Sequence, residues 1–184
     1  RQVVARANLA PSIHNAQPAR WRLRGNVIEV AADLRVKLPH ADPTGEAIGL
    51  SCGAAVEATL VALPFAADIE DVWAHDDVHS WSGHRMAARI TLKDAANADA
   101  LSPQLERRYT WRGAFKPTPP RLFGWTREDT FFVMDEPTRG WIAGLHDAAG
   151  LGILRDRAFR RAILCWMRLT AAPGRYRLAG LSLA

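Results

Sequence analysis

A loop with two prolines and several amide and hydroxyl side chains, residues 10–18, is the stretch best suited to bind a ligand. Its sequence is Ala-Pro-Ser-Ile-His-Asn-Ala-Gln-Pro, and a segment in which Arg alternates with Trp and Leu follows it. Pro11 and Pro18 fix the backbone dihedral φ and lack an N–H donor, whereas Asn15 offers both a donor and an acceptor. The pattern predicts a rigid, backbone-lined wall for a flat heteroaromatic ligand. The alternative is a tight Ser or Asx turn that leads into a strand.

Further segments, taken in order with this loop, resemble a known protein family. They are Leu-Pro-His-Ala-Asp-Pro-Thr-Gly at 38–45, Leu-Ser-Cys-Gly-Ala-Ala at 50–55, Arg-Arg-Tyr-Thr-Trp-Arg-Gly-Ala-Phe at 107–115 and Cys-Trp-Met-Arg-Leu at 165–169. The Pro-Ser-x-x-Asn-x-Gln-Pro loop is similar to the flavin-facing loop of the nitroreductase superfamily. The series as a whole resembles the Acg-type proteins, in which two nitroreductase halves are fused in one chain.

This resemblance implies a binding site for FMN. In the matching family motif, Arg108 would bind the phosphate, Thr110 the ribityl hydroxyls, and Arg112 the negative charge that a reduced flavin gathers near N1 and O2. A solvated, Arg-rich helix end is the alternative for these three residues. The implied cofactor-binding residues are Pro11, Ser12, Asn15, Gln17, Arg108, Thr110 and Arg112.

The activity that the resemblance implies is FMN-dependent two-electron transfer. NADH or NADPH would reduce the flavin, and a nitroaromatic or quinone-like small molecule would then be reduced in a ping-pong cycle. No catalytic protein residue is expected, because flavin N5 carries the chemistry. Two alternatives are a protein that binds or sequesters FMN with little turnover, and a relic of the fold whose role is interaction only.

The expected architecture is α+β and nitroreductase-like, with a mixed or antiparallel sheet packed between helices. Residues 1–116 would form one half, and residues 117–184, after Lys-Pro-Thr-Pro-Pro at 116–120, would form part of a second half related by a pseudo-twofold axis. A single flavin site would be shared between them, in a monomer or a homodimer. The sequence does not begin with Met, and residues 1–8 resemble the end of a helix, so we expect the chain to be part of a longer protein.

Hydrophobic periodicity predicts the main elements. Residues 19–33 form a hairpin that turns at Gly25 and Asn26, and residues 46–63 form the central core helix, in which Gly49 and Gly53 permit close approach of another element. One face of that helix carries Ile48, Cys52, Val56, Leu60 and Leu63. Further strands are predicted at 68–74, 85–92 and 130–134, and further helices at 98–107, 139–149 and 155–169.

Composition excludes several classes of function. The formal net charge is +5, but only three of the 24 basic residues are lysine, and no basic run is interleaved with aromatic residues as in a nucleic-acid module. No segment approaches the roughly 20 apolar residues of a membrane span. Cys52 and Cys165 are expected to be buried free thiols, which fits a reducing cytoplasm. We therefore predict no nucleic-acid partner, no membrane partner and a cytoplasmic location.

Histidines and carboxylates between residues 75 and 84 have the residue types of a metal site, His-Asp-Asp-x-His-x4-His. Their spacing matches no helix face, so a polar loop is predicted instead and no metal is expected. His14 lies within the ligand-binding loop, where it either lines the pocket or makes a structural hydrogen bond.

Overall fold

The computed structural model describes residues 1–73, 81–96, 98–110, 113, 132–168 and 181–182. Its contacts divide the chain into two compact units, residues 1–108 with 161–184 and residues 109–160. The predicted boundary between residues 116 and 117 lies outside the described ranges. The elements are α1 (Gln2–Ala7), β1 (Ala19–Arg24), β2 (Val27–Asp33), α2 (Glu46–Ala62), β3 (Phe65–Asp71), β4 (His84–Ala96), α3 (Gln104–Arg107), α4 (Glu136–Arg155), α5 (Arg157–Trp166), β5 (Met167–Arg168) and β6 (Leu181–Ser182).

The first unit is built on a four-stranded antiparallel sheet with the strand order β1-β2-β4-β3. The predicted hairpin is confirmed, because Arg24 pairs with Val27 across a two-residue turn. Gly25 has a φ of 58°, the left-handed conformation that a two-residue hairpin requires at its first turn position. The strands predicted at 68–74 and 85–92 correspond to β3 and β4, and β4 extends further toward the C-terminus than predicted.

Helix α2 lies against this sheet and forms the core with it, as predicted. The expected face is confirmed at four positions and is half-buried at Leu60, which packs against the same cluster. Each large aliphatic side chain that is buried in this way contributes about 1.5–3 kcal/mol. The larger core residues include Ile28, Val30, Leu38, Ile48, Cys52, Val56, Leu63 and Ile90.

The first turn of α2 is held by a carboxylate that precedes it in the sequence. Asp42 accepts hydrogen bonds from the backbone N–H groups of Ala47 at 3.1 Å and Ile48 at 2.8 Å. These groups have no partner within a helix, so the acid satisfies them and complements the helix dipole. A Cβ added at Gly49 would lie 2.8 Å from the Trp73 ring, so the close neighbour at this position is a side chain from a turn rather than the helix or sheet that was predicted. Among the described residues, nothing lies within 4 Å of a Cβ added at Gly53, so the close approach predicted there is not observed.

The face of the sheet that carries Glu29 combines charged, aromatic and apolar side chains. The Glu29 carboxylate is buried and receives the Arg22 guanidinium at 2.6 Å, and that guanidinium also lies over the Trp81 ring, 4.5 Å from its centroid. Nearby, Ala31 and Met86 belong to a second, smaller apolar cluster with Val72, against which Trp81 packs.

The predicted α+β fold with an antiparallel sheet is observed in the described residues. The pseudo-twofold relation between two halves stays a prediction.

Helix α4 belongs to the second unit and is longer than the 11 residues predicted, at 20 residues. Asp135 caps it by accepting from the Thr138 N–H at 2.9 Å, and Pro137 lies in the first turn, where no N–H is needed. Its apolar side chains are exposed, among them Trp141 and Leu154.

Several predicted elements differ from the structure. The helix predicted at 98–107 is reduced to the four residues of α3, and α5 is shorter than predicted at both ends. Residues 132–134 are not a strand, while 130 and 131 lie outside the described ranges. The prediction that both thiols are buried is wrong for Cys165, which is exposed on α5, and right for Cys52. Within the described ranges, no helix is both long and apolar enough to cross a membrane.

Candidate functional site

The loop at residues 10–18 joins α1 to β1 and closes on itself through hydrogen bonds. The hydroxyl oxygen of Ser12 accepts from the backbone N–H of Gln17 at 3.0 Å, and the carbonyl of Ser12 accepts from the N–H of Asn15 at 2.9 Å. The N–H of Ala16 donates to the carbonyl of Ile13 at 2.8 Å, which completes a short 3-10 turn over Ile13–Asn15. The loop is therefore ordered by its own bonds.

Backbone strain is concentrated in this loop. His14, Asn15 and Gln17 have φ values of 48°, 52° and 48°, in the left-handed region that non-glycine residues rarely adopt. Such residues cost about 1–3 kcal/mol each and persist only where the surrounding structure holds them. Asn and His tolerate this conformation better than Gln does, so Gln17 has the greatest need of external support.

Helix α2 supplies the first support. The Ser51 hydroxyl oxygen accepts from the backbone N–H of Ile13 at 3.0 Å and donates its own proton to the carbonyl of Ala47 at 2.6 Å. Ser51 is buried, so water cannot readily replace it in these bonds. The Ser12–Asn15 part of the loop is thereby tied to the helix at the centre of the core.

The second support comes from an ion pair at the edge of the hairpin. One terminal nitrogen of Arg20 donates to the carbonyls of Gln17 and Ala19, each at 2.8 Å, and the other lies 3.2 Å from the Asp33 carboxylate. The backbone N–H of Asp33 donates to the carbonyl of Pro18 at 2.9 Å. Every carbonyl from Gln17 to Ala19 is therefore bound by the Arg20–Asp33 pair.

Asp33 is itself strongly stabilised as an anion. Its side chain is 3% exposed, and Arg35 binds both carboxylate oxygens, at 2.9 and 2.8 Å. These hydrogen bonds hold the pKa of Asp33 well below its usual range, with smaller contributions from the charges of Arg35 and Arg20. The carboxylate therefore stays ionised, and remains a partner for Arg20, down to strongly acidic pH.

Arg108 is the predicted phosphate ligand, and the structure places it beside the beginning of the loop. Its guanidinium donates to the carbonyl of Leu9 at 2.9 Å, and the side chain is exposed. A guanidinium carries five N–H donors, so this single bond leaves capacity for an anion. Arg6 of α1 also reaches this region, where it bonds the carbonyl of Ser102 and lies 3.1 Å from the Glu106 carboxylate.

The other predicted cofactor ligands have different outcomes. Pro11, Ser12, Asn15 and Gln17 lie together on the loop described above, and Thr110 is exposed and belongs to the second unit. Arg112 lies outside the described residues. The assignment of all seven residues to a flavin stays a prediction.

A small cavity lies beneath the loop, lined in part by Ser12, Gln17, Trp21 and Ser51. Its volume of about 10 Å³ admits about one water molecule and no ring system. This cavity is therefore too small for a flat heteroaromatic ring, and Pro11 is exposed to solvent. Partial burial lowers the pKa of His14, which favours the neutral form of its imidazole.

Among the described residues, no group of three or more His, Cys, Asp or Glu side chains could hold a metal ion. In the predicted polar segment, residues 75–79 lie outside the described ranges. His84 is described, and its ring stacks on Trp81 with a centroid distance of 4.7 Å.

Three supporting residues were missed by the sequence analysis, namely Ser51, Arg20 and Asp33. Ser51 lies on an apolar helix, Arg20 on a strand with alternating residues and Asp33 at the end of a strand. Residues of these types are common at such positions, so none of them indicated a link to the loop. For Ser51, the available signal in the sequence was a hydroxyl residue between the apolar residues Leu50 and Cys52 of the predicted core helix.

No known protein-family profile matches the chain. Two curated proteins of Mycobacterium tuberculosis, from strains CDC 1551 / Oshkosh and ATCC 25618 / H37Rv, are each 43% identical to it over 63 residues. Both carry the name "Putative NAD(P)H nitroreductase". The alignment covers 34% of this chain, and the chain spans 18% of the length of these relatives. About a third of the chain is therefore related in sequence to proteins named as nitroreductases.

Proposed function

We propose that this chain belongs to an FMN-dependent NAD(P)H oxidoreductase of the nitroreductase type. The acceptor would be a nitroaromatic or quinone-like small molecule, reduced by two electrons. The observation that supports this most is the strained loop at residues 10–18, held in place by α2 and the hairpin, with Arg108 bonded to the residue that precedes it. The partial similarity to two proteins named as NAD(P)H nitroreductases points to the same class.

The donor groups of the loop suit one edge of an isoalloxazine ring. The Ser12 hydroxyl accepts from Gln17 N–H, which leaves its own proton to donate to a ligand. The side-chain amides of Asn15 and Gln17 each combine a donor and an acceptor, as the ring edge requires. Pro11 would present an apolar surface to the ring face.

Positive charge suits the remaining parts of FMN. Arg108 would bind the phosphate, since a guanidinium forms paired, charge-assisted bonds with phosphate oxygens. Thr110 would contact the ribityl chain, and Arg112 would stabilise the negative charge of the reduced ring. When bound, FMN would supply the two-electron chemistry, while the protein supplies position and charge.

The fused-half arrangement is part of this proposal. Residues 1–116 would supply the ring-binding loop and the beginning of the basic motif, and residues 117–184 would belong to the second half. One chain would then form one flavin site, as a monomer or within a homodimer.

A visible absorption spectrum of the purified full-length protein, before and after NADPH is added, tests the proposal. We expect flavin bands that bleach with NADPH and return when a quinone is added. Bands that bleach with dithionite but resist excess NADPH would instead indicate an FMN-sequestering protein. A colourless protein that neither binds added FMN nor oxidises NADH or NADPH with any acceptor would contradict both functions.

A further inference from the structure

Both backbone polar groups of Gln17 are bound within the protein. Its N–H donates to the Ser12 hydroxyl oxygen at 3.0 Å, and its carbonyl accepts from Arg20 at 2.8 Å. A residue whose N–H and C=O are both bound, while its φ is 48°, is fixed from two sides in a conformation that it would otherwise leave. The group that Gln17 can offer to a ligand is therefore its side-chain amide.

Arg20 is suited to this task by the shape of its side chain. One terminal nitrogen bridges the carbonyls of Gln17 and Ala19, while the other binds Asp33. A guanidinium holds these donors at fixed spacing in one plane, whereas the single ammonium of a lysine cannot span both sets of partners. The two carbonyls flank Pro18, so the bridge fixes the backbone on both sides of a residue with little freedom of its own.

Asp33 in turn fixes Arg20. Its carboxylate is almost fully buried, and its backbone N–H binds the carbonyl of Pro18 at 2.9 Å. The Arg20 side chain is 42% exposed, so without this buried anion it would be free to turn into solvent. Arg35 also binds this carboxylate, but its hydrogen bonds include none to a carbonyl of the loop. The two arginines therefore have different roles: Arg35 stabilises Asp33, and Arg20 joins Asp33 to the loop.

We propose that Arg20, held by Asp33, is a positioning residue that fixes the left-handed backbone of Gln17 and thereby sets the affinity of the loop for a flat, imide-bearing ligand. The ligand part of this inference rests on the proposed function. The conformational part stands on the contacts above.

Amide hydrogen exchange of the full chain tests the conformational part without any ligand. In Arg20→Ala, we expect the amides of Asn15, Ala16 and Gln17 to exchange about tenfold faster or more, because the bonds lost involve a charged donor. The amides of residues 27–32 in β2 should keep their protection, whereas the Asp33 amide is left out of the comparison because it donates to the carbonyl of Pro18. Arg20→Lys should give an intermediate rate, and it decides the test if circular dichroism shows that Arg20→Ala does not fold.

Arg24→Ala is the matched control. Arg24 lies on the same strand, carries the same charge and pairs with Glu29 at 3.7 Å rather than with the loop. Its removal should leave exchange in the loop unchanged. Equal exchange rates in wild type and Arg20→Ala, or equal acceleration by Arg24→Ala, would overturn the inference.

Titration with FMN, followed by quenching of flavin fluorescence, tests the ligand part. We expect Arg20→Ala to raise the Kd about tenfold or more, Arg20→Lys to restore part of the affinity and Arg24→Ala to have no effect. Faster loop exchange with unchanged FMN affinity would overturn the ligand part alone. If the wild-type protein binds no FMN, the proposed function and the ligand part fail together, whereas the exchange data still decide whether Arg20 fixes the loop.

Discussion

Arg108 and Leu9 are joined by a hydrogen bond of 2.9 Å, from the guanidinium to the backbone carbonyl, although 99 positions separate them in the chain. Leu9 directly precedes the loop at residues 10–18, so the bond brings a permanent positive charge to the beginning of that loop. An exposed arginine that is anchored at one nitrogen keeps its orientation while its other donors remain accessible to a ligand.

Replacement of Arg108 by Ala should weaken FMN binding about tenfold or more, because a charge-assisted bond to phosphate is lost. The free energy of unfolding should change little, since the side chain is exposed. Fluorescence titration with FMN measures the effect. Arg107→Ala removes the same charge from the adjacent exposed position and should bind FMN as the wild type does. Equal affinity of the Arg108 variant and wild type would show that the phosphate lies elsewhere.

Ser51→Ala should lower the free energy of unfolding by about 1–3 kcal/mol, because the partly buried N–H of Ile13 loses its acceptor. Faster exchange of the loop amides should accompany this loss. Thr59→Val is the matched control, since the Thr59 hydroxyl likewise donates to the carbonyl four residues earlier and accepts a distant N–H, that of the Trp21 indole. The control should destabilise the protein in chemical denaturation and leave the loop unchanged. Loop exchange that is insensitive to Ser51→Ala would contradict the role given to this bond.

Asp33 should make stability depend on pH in one direction. Hydrogen bonds from Arg35 are the main reason that the pKa of Asp33 is lower in the folded protein than in the unfolded chain. The contribution of Asp33 to the free energy of unfolding is therefore fully present above the unfolded pKa of about 3.9, and it is lost as the pH falls toward the folded pKa. The stability difference between wild type and Asp33→Asn should therefore be constant above about pH 5 and shrink below about pH 4.

Arg35→Ala should make this loss of stability at acid pH smaller and end it at higher pH, because the main cause of the low folded pKa is removed while the unfolded pKa is unchanged. Urea denaturation at a series of pH values measures both effects. A difference between wild type and Asp33→Asn that grows as the pH is lowered would have the wrong sign for this account.

Gly49→Ala and Gly53→Ala should act in opposite directions on stability. A Cβ at Gly49 would lie 2.8 Å from two carbons of the Trp73 ring, and that ring is also covered by Arg85 at 4.1 Å from its centroid. The clash should cost about 1–3 kcal/mol. At Gly53 nothing lies within 4 Å, so alanine should stabilise α2 by about 0.5–1 kcal/mol through its higher helix propensity. Thermal unfolding of the two variants compares them directly. Destabilisation by Gly53→Ala, or an unchanged stability of Gly49→Ala, would contradict this account.

The first unit could be predicted well from local patterns. The hairpin depends on Gly25 and on alternation, and α2 depends on apolar residues at helical spacing, so short-range chemistry decides both. Helix α3 was predicted too long and α4 too short, because helix ends depend on capping bonds such as that of Asp135, which periodicity does not report. The apolar residues around Cys165 led to the expectation that it is buried, but it is exposed. Its exposure depends on which elements cover α5, and the local sequence does not determine this.

The candidate site was predicted in part. Residue types alone marked the loop as a ligand wall, since two prolines, a serine and two amides are unusual in nine residues. Its supports could not be predicted, because Ser51 binds Ile13 across 38 positions and Asp33 reaches Arg20 only after the hairpin has formed. The strain at Gln17 is a tertiary property as well, since its sequence neighbours do not require a positive φ.

Maleimide reagents should attach to Cys165 and leave Cys52 unmodified in the native protein. Burial raises the pKa of the Cys52 thiol to about 12, so almost none of it is present as the reactive thiolate at neutral pH, whereas Cys165 is exposed. The adjacent Trp166 packs against the main apolar cluster. The fluorescence of a dye coupled to Cys165 should therefore depend on the neighbouring Trp166 indole, which packs against that cluster. The dye would report the loss of tertiary structure, and no cysteine would have to be introduced.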